Sequence, residues 1–224
     1  MNLSRYIDHT LLKPTSTLND IKKLCAEALE YDFFAVCVPP TLVKNSVSIL
    51  AESRVQVATV IGFPFGYSVT AAKVAEAERA IADGAAELDV VINLAALKGG
   101  DWKYLQDEMK AILAPIRKNR QLIKVIIESG VLTNEEIIQC CAIYAALDVD
   151  FLKTSTGYAE KGATVEALQL MRQHLPSTIK IKASGGIRTY EQASQMIEAG
   201  ADRLGCSASV AIVKGDARQA AKGY

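Results

Sequence analysis

The feature that most constrains the fold is an alternation, along the whole chain, of short runs rich in Val, Ile and Leu with longer amphipathic segments. The short runs have the length of buried strands and are followed by turn residues, whereas the longer segments have apolar residues at helical spacing. Two helical segments begin with the spacing of a capping box, at Thr133 and at Thr189. The eight predicted strands begin at Tyr6, Phe33, Val55, Glu87, Leu122, Asp150, Ile179 and Asp202.

Strands that alternate with helices, with no polar linker between two halves of the chain, predict a parallel sheet. Such a sheet either stays open or closes into a barrel. An open sheet that binds a dinucleotide would carry G-x-G-x-x-G after its first strand, and the sequence has no such motif. Eight strand–helix units favour the closed α/β architecture, a (β/α)8 TIM barrel. We expect residues 1–224 to form one domain with a short tail that ends in Tyr224.

Composition argues against several classes of function. The 224 residues include 25 Lys+Arg and 25 Asp+Glu, and no basic cluster marks a surface for nucleic acid or for an acidic membrane. No segment approaches the roughly 18 apolar residues of a membrane span, and the N-terminus lacks the apolar stretch of a signal peptide. The five cysteines have no repeated spacing, which predicts reduced thiols and a cytoplasmic protein.

Metal and triad chemistry are also disfavoured by the sequence. The two histidines, His9 and His174, are too few for a His-rich metal site, and no cysteine pair has the spacing of zinc ligands. The sequence has neither the G-x-S-x-G elbow of a serine hydrolase nor a Walker A motif. We therefore expect no metal and no cofactor. We expect His174 on a helix surface, and His9 where it could shape a substrate pocket.

Charged residues occupy alternate positions in four predicted strands. Helices cover the outer face of each strand, so the alternation places these side chains in the barrel interior. Buried charges are costly unless they are paired, and some of these residues suit a purely structural network of ion pairs. That structural set is Glu87, Lys124, Glu128 and Lys180.

Lys153 and Lys182 differ from this set because each is predicted at the end of its strand, on strands that are neighbours in the barrel. Two ammonium groups close together disfavour each other's charge, so one of them can be neutral near pH 7. A neutral amine is the nucleophile that forms a Schiff base with a carbonyl substrate. Asp89, inward on another strand, could shuttle protons while the imine forms and breaks. A lysine that snorkels to the surface would give the same pattern within one strand.

Glycines and serines follow the last two predicted strands, where this fold usually binds phosphate with loop N–H groups and a helix N-terminus. An arginine beyond the first glycine pair would add charge, and a Thr-Gly pair after the sixth strand would add another N–H. The same glycines would also suit tight turns that bind nothing. The predicted phosphate residues are Thr156, Gly157, Gly185, Gly186, Arg188, Gly205 and Ser207.

Six segments, spread over nearly the whole chain, resemble motifs of the deoxyribose-phosphate aldolases. The most specific are DFLKTSTGY and IKASGGIR, which contain the two inward lysines. The resemblance implies a (β/α)8 barrel that cleaves 2-deoxy-D-ribose 5-phosphate reversibly to D-glyceraldehyde 3-phosphate and acetaldehyde, through a lysine imine and without a metal. The segments are Asp8–Pro14, Ile61–Gly66, Glu87–Asn93, Lys124–Gly130, Asp150–Tyr158 and Ile181–Arg188.

The resemblance also implies roles for individual residues. Lys153 would form the imine, Lys182 would perturb the pKa of Lys153, and Asp89 would carry protons. Tyr224, the last residue, would reach the active site and help to move the C2 proton. Barrels of this family are often dimers or tetramers, so the resemblance implies a homodimer or a homotetramer.

Two positions depart from the pattern of this family. Ala208 replaces a serine found in some members, which removes a hydroxyl group and weakens the expected phosphate site. Tyr158 stands where some members have a lysine, although aromatic residues also occur there. Neither departure affects the three predicted catalytic positions on the strands.

Two rival functions are less consistent with the motifs. Another phosphosugar barrel, such as an isomerase or a transaldolase, would share the glycine loops but would lack the KTSTG and KASGG motifs together. A barrel that only senses a sugar phosphate would have no use for two inward lysines beside Asp89. The sequence therefore predicts a lyase whose partner is a small sugar phosphate.

Overall fold

Eight parallel strands close into a barrel in the computed structural model, which describes residues 2–215. Each strand pairs with its neighbours in chain order, and the first strand pairs with the last to complete the ring. The predicted (β/α)8 fold is therefore confirmed. The strands are β1 (Ile7–Thr10), β2 (Ala35–Val38), β3 (Gln56–Ile61), β4 (Glu87–Val91), β5 (Leu122–Ile126), β6 (Phe151–Lys153), β7 (Lys180–Ser184) and β8 (Arg203–Cys206).

Helices connect successive strands on the outside of the barrel. Both predicted capping boxes are present: the Thr133 side chain accepts the N–H of Glu136, whose carboxylate accepts the N–H of Thr133, and Thr189 does the same with Gln192. Within residues 2–215, no helix has the length and apolar character needed to cross a membrane. The helices are α1 (Leu18–Glu30), α2 (Val43–Leu50), α3 (Thr70–Ala82), α4 (Leu94–Lys98), α5 (Trp102–Lys118), α6 (Asn134–Ala146), α7 (Val165–His174), α8 (Tyr190–Glu198) and α9 (Ser209–Lys214).

Two separate apolar clusters stabilise this arrangement. The larger lies between the strands and the helices and contains fully buried strand residues such as Leu88, Val125 and Ile181. The smaller contains inward residues of β2 and β3 with two residues of the loops that follow β1 and β3. Its members are Leu12, Cys37, Ala58, Val60 and Phe63. The barrel interior is therefore apolar beside β2 and β3, and its charged part lies on other strands.

The structure corrects three details of the predicted interior. Lys180 begins β7 and is exposed, with Nζ 5.7 Å from the centroid of the Phe151 ring, so it does not join the buried ion pairs. The two-residue period gives the face of the strand on which a residue lies but not its depth in the barrel, which explains this error. Lys182 is mid-strand rather than at the end of β7, whereas Lys153 does end β6. Glu128 follows β5 and contacts the next loop, not a lysine of the interior.

The predicted tail that ends in Tyr224 lies outside the described residues. Whether residues 1–224 form one domain with that tail stays a prediction, although residues 2–215 all belong to the barrel and its surrounding helices.

Candidate active site

Charged side chains from six strands meet in the barrel interior and form one network of ion pairs. Each of them is at most 5% exposed, so water does little to screen or solvate their charges. Among residues 2–215 the network has four cations and three carboxylates. They are Asp8 of β1, Glu87 and Asp89 of β4, Lys124 of β5, Lys153 of β6, Lys182 of β7 and Arg203 of β8.

Asp89 is the centre of the network because its carboxylate accepts hydrogen bonds from three ammonium groups. Oδ1 lies 2.7 Å from Nζ of Lys124, and Oδ2 lies 2.8 Å from Nζ of both Lys153 and Lys182. Burial by itself would raise the pKa of Asp89. The three ammonium groups overcome that effect and hold the pKa of Asp89 well below its ordinary value. Asp89 is therefore an ionised carboxylate that touches both predicted catalytic lysines.

The two predicted catalytic lysines have opposite pKa shifts. Nζ of Lys182 lies 2.5 Å from Asp8 and 2.8 Å from Asp89. Burial lowers the pKa of Lys182, but these two carboxylates outweigh it and raise the pKa above its ordinary value. Lys153 has an ion pair with Asp89 alone. Burial lowers the pKa of Lys153, Asp89 offsets only part of that effect, and the charge of Lys182 lowers the pKa further.

The excess of one cation in the network identifies the lysine that most easily becomes neutral. With all seven groups charged, the described network carries one uncompensated positive charge, which is costly in a buried site. Loss of a proton from Lys153 removes this excess, whereas its loss from Lys182 would leave Asp8 with a weaker set of partners. Among the three lysines of the network, the geometry therefore favours loss of the proton from Lys153, and a Schiff-base nucleophile requires a neutral amine.

Sequence reasoning missed two members of the network and placed the other five inside the barrel. The sequence left open whether Glu87 or Glu128 pairs with Lys124 or Lys180, and the pair of Glu87 with Lys124 is present, with an N–O distance of 2.6 Å. Asp8 and Arg203 were missed, although the alternation extended to the first and last strands would have placed both inside. Nη1 of Arg203 lies 2.7 Å from Oδ1 of Asp8 and 3.2 Å from Oε2 of Glu87. Its guanidinium stacks 3.4 Å from the centroid of the Phe34 ring.

A cavity of about 70 Å³ lies above the network, at the carboxyl ends of the strands. Lys153 is one of the residues that line it, so its side chain borders this space. All seven residues predicted to bind phosphate line the same cavity, together with Thr10, Leu12, Ser184 and Ile187. They are Thr156, Gly157, Gly185, Gly186, Arg188, Gly205 and Ser207.

Backbone donors without acceptors face this part of the structure. The N–H groups of Gly157, Gly185 and Gly186 donate to no acceptor within residues 2–215, and all three residues have positive φ angles. Such N–H groups are what an anion needs in a glycine loop. Gly205 has a different reason to be glycine: a Cβ there would lie 2.9 Å from Cβ of Ser184 and 3.0 Å from Cε of Lys182.

His9 faces away from this cavity. Its Nδ1 lies 2.9 Å from Oγ of Ser209, and its Nε2 lies 2.9 Å from Oε2 of Glu27. Because Ser209 donates its own hydroxyl to the carbonyl of Cys206, its oxygen accepts from Nδ1 of His9. His9 therefore ties β1 to α1 and α9, and it lines a neighbouring groove of about 360 Å³ rather than the cavity of Lys153.

Comparison with known proteins identifies the family. A family model described as DeoC/LacD family aldolase matches residues 3–215. The chain belongs to this aldolase family. It is 50% identical over 217 residues to the deoxyribose-phosphate aldolase of Thermococcus gammatolerans, covering 96% of each chain. It is 47% identical over 224 residues to that of Bacillus mycoides, covering all of both chains. The resemblance inferred from the sequence motifs is confirmed, and the protein is an enzyme.

A solved structure agrees with the sequence comparison. The deoxyribose phosphate aldolase from Aeropyrum pernix, described as a unique tetrameric structure, superimposes with a TM-score of 0.89 and 30% sequence identity. The match covers 95% of this chain and 89% of that one. The barrel and its helices are thus shared with an aldolase along almost the full chain.

The opposite pKa shifts predict opposite effects of removing each lysine on stability. Lys182→Met leaves Asp8 and Asp89 short of a cation and should lower the free energy of unfolding by about 3–5 kcal/mol. Lys153→Met removes the excess cation and should change that free energy by less than about 1 kcal/mol, or raise it. Denaturant unfolding at neutral pH measures both. Equal destabilisation by the two substitutions would contradict the charge count.

Proposed function

We propose that this aldolase cleaves 2-deoxy-D-ribose 5-phosphate reversibly to D-glyceraldehyde 3-phosphate and acetaldehyde, with Lys153 as the residue that forms the Schiff base. The observation that carries this proposal is the position of Lys153. Its amine is held by Asp89 within the charged network, and Lys153 lines a cavity whose walls include glycine loops with N–H groups that have no acceptor within residues 2–215. The names of the relatives supply the substrate.

In the direction of cleavage, the neutral amine of Lys153 attacks the aldehyde carbon of the open-chain sugar and water leaves to give the imine. The protonated imine accepts electrons from the C2–C3 bond as that bond breaks. The C3 hydroxyl loses its proton, D-glyceraldehyde 3-phosphate departs, and an enamine remains on Lys153. Protonation of the enamine carbon and hydrolysis release acetaldehyde and the free amine. The imine is the electron sink, so this chemistry needs no metal and no cofactor.

Asp89 and Lys182 act on the amine of Lys153. When Lys153 loses its proton, one of the three ammonium groups that hold the pKa of Asp89 low becomes neutral. Asp89 is then a better proton acceptor, at the step where a proton must be moved. Lys182 stays charged because Asp8 and Asp89 both bind it, and that charge favours the neutral form of Lys153.

The phosphate group is assigned to the glycine side of the cavity. The N–H groups of Gly157, Gly185 and Gly186 would donate to its oxygens, the hydroxyl of Ser207 would add a donor, and Arg188 would add a positive charge. Gly205 also forms part of this wall, at a position where a Cβ would collide with the side chains of Ser184 and Lys182. Thr156 lines the cavity as well, but its N–H already donates to Glu128, so its contribution is to the shape of the loop.

Borohydride reduction tests the assignment of Lys153. In the presence of acetaldehyde or 2-deoxyribose 5-phosphate, we expect a stable adduct that peptide mass mapping places on Lys153. Only the free amine reacts, so the rate of trapping should fall as the pH drops through the lowered pKa of Lys153. Lys153→Met should abolish both trapping and cleavage while the protein stays folded.

Two other lysines are the controls for this experiment. Lys124 is fully buried in the same network, and Lys180 is exposed on β7. An adduct on either of them, or no adduct, would disprove the assignment.

Tyr224 lies outside the described residues, and its role is proposed from the family resemblance alone. A chain that lacks Tyr224 should turn over more slowly, because the C2 proton is then moved less efficiently. Trapping of the imine with borohydride should be unchanged, since that step needs only Lys153. A turnover rate equal to that of the full chain would remove Tyr224 from the mechanism.

We also propose that the chain works in the cytoplasm as a homodimer or a homotetramer. All five cysteines are buried and free, which suits a reducing compartment. The Aeropyrum pernix relative is described as tetrameric. Light scattering should therefore give a mass of two or four times 24.1 kDa, and a mass of one chain would contradict the proposal.

A further inference from the structure

Glu128 occupies an unusual backbone position between β5 and α6. Its φ and ψ angles are both 55°, in the left-handed region that is costly for a residue other than glycine. The residues on either side are fixed to the end of β6: the N–H of Ile127 donates to the carbonyl of Lys153 at 3.1 Å, and that of Ser129 donates to Thr154 at 2.7 Å. The backbone therefore turns sharply at Glu128, between two residues whose N–H groups are hydrogen-bonded to β6 and the residue after it. This costly conformation requires a stabilising interaction.

The side chain of Glu128 supplies that interaction. It is 3% exposed and accepts both donors of Thr156, the backbone N–H at 3.2 Å and the hydroxyl. The hydroxyl oxygen of Thr156 accepts the N–H of Tyr158 at 3.0 Å, and the phenol of Tyr158 donates to the carbonyl of Leu12 at 3.0 Å. These hydrogen bonds form a chain that runs from β5 across the loop after β6 to the loop after β1.

This chain of hydrogen bonds passes directly behind the cavity. Thr156 and Gly157 line the cavity, whereas Glu128 does not. The same loop packs tightly against the next one, because a Cβ on Gly162 would lie 2.2 Å from the carbonyl oxygen of Gly185. Displacement of the loop that follows Lys153 would therefore also disturb the N–H donors after β7.

We propose that Glu128 is a positioning residue for the phosphate group of the substrate. By accepting both donors of Thr156, it fixes the loop so that the N–H of Gly157, and not that of Thr156, is presented to the cavity. Glu128 does not line the cavity, so its carboxylate acts through Thr156. This inference rests on the proposed function for the identity of the phosphate ligand.

Three variants separate this role from a general contribution to folding. Glu128→Gly removes the carboxylate and suits the left-handed backbone, so the fold should survive. Glu128→Gln keeps an oxygen that can accept from Thr156, so the hydrogen bond that fixes the loop remains. Glu108→Gln is the matched control, because Glu108 is 2% exposed and pairs at 3.0 Å with Lys73, outside the cavity.

The readouts are the KM and kcat for 2-deoxyribose 5-phosphate, the Kd of inorganic phosphate by calorimetry, and borohydride trapping of acetaldehyde, which has no phosphate. Glu128→Gly should raise the KM and the phosphate Kd by at least about tenfold. It should leave half-saturation by acetaldehyde within about twofold. Glu128→Gln should stay within about threefold of the unaltered enzyme in every readout. Glu108→Gln should lower the free energy of unfolding and leave these readouts unchanged.

Several results would overturn the inference. These are an unchanged KM or tighter phosphate binding in Glu128→Gly, an equal loss in acetaldehyde trapping, or a Glu128→Gln variant as weak as Glu128→Gly. If the unaltered enzyme binds phosphate but cleaves no 2-deoxyribose 5-phosphate, the proposed function fails while the phosphate comparison still tests Glu128. If the unaltered enzyme binds no phosphate, the role of Glu128 is rejected.

Discussion

The charged network around Asp89 is the interaction on which the chemistry of this barrel depends. A closed barrel excludes water from its interior, so every charge inside must be balanced by another side chain. Asp89 accepts from Lys124, Lys153 and Lys182 at once, and no carboxylate can neutralise three cations. The other two carboxylates relieve this excess for Lys124 and Lys182 but do not pair with Lys153. The proton on Lys153 is consequently the one held least strongly.

The position of Lys153 in the barrel strengthens this effect. Its amine pairs with Asp89, and it also interacts electrostatically with Cys37 of β2, a member of the apolar cluster of the interior. Burial raises the pKa of the Cys37 thiol to about 11, so that thiol stays neutral near pH 7 and contributes no charge to pair with the ammonium group. Burial in the barrel thus favours the neutral amine of Lys153 over the charged one.

Much of this arrangement could be predicted from the sequence because it follows from the geometry of strands. The two-residue period places Asp89, Lys153 and Lys182 inside once the strands are recognised. The period does not say where along a strand the barrel opens, and for that reason Lys180 was wrongly placed in the interior. The two-residue period also gives no distances between side chains on strands that become neighbours only when the barrel closes. Asp8 and Arg203 are 195 residues apart in the chain and 2.7 Å apart in the barrel.

Sequence patterns could not predict the contact between Glu128 and Thr156, for a different reason. It depends on a left-handed backbone at a glutamate, and nothing in the residue type predicts that conformation. The motif around Glu128 was visible, but the strand pattern extended through it and placed the side chain inside the barrel. Local backbone geometry, rather than periodicity, decides which way this carboxylate points.

The register of β6 and β7 places Lys153 opposite Lys182, and Arg203 is one reason why Asp8 does not serve Lys182 alone. If Asp8 had no other partner, it could neutralise Lys182 by itself, and Asp89 would be free to stabilise the charge of Lys153. Arg203 binds the second oxygen of Asp8 and also Glu87, so Asp8 is shared and Lys182 still needs Asp89. Arg203 therefore leaves Asp89 as a necessary second partner of Lys182, while burial, together with the charge of Lys182 on the neighbouring strand, lowers the pKa of Lys153.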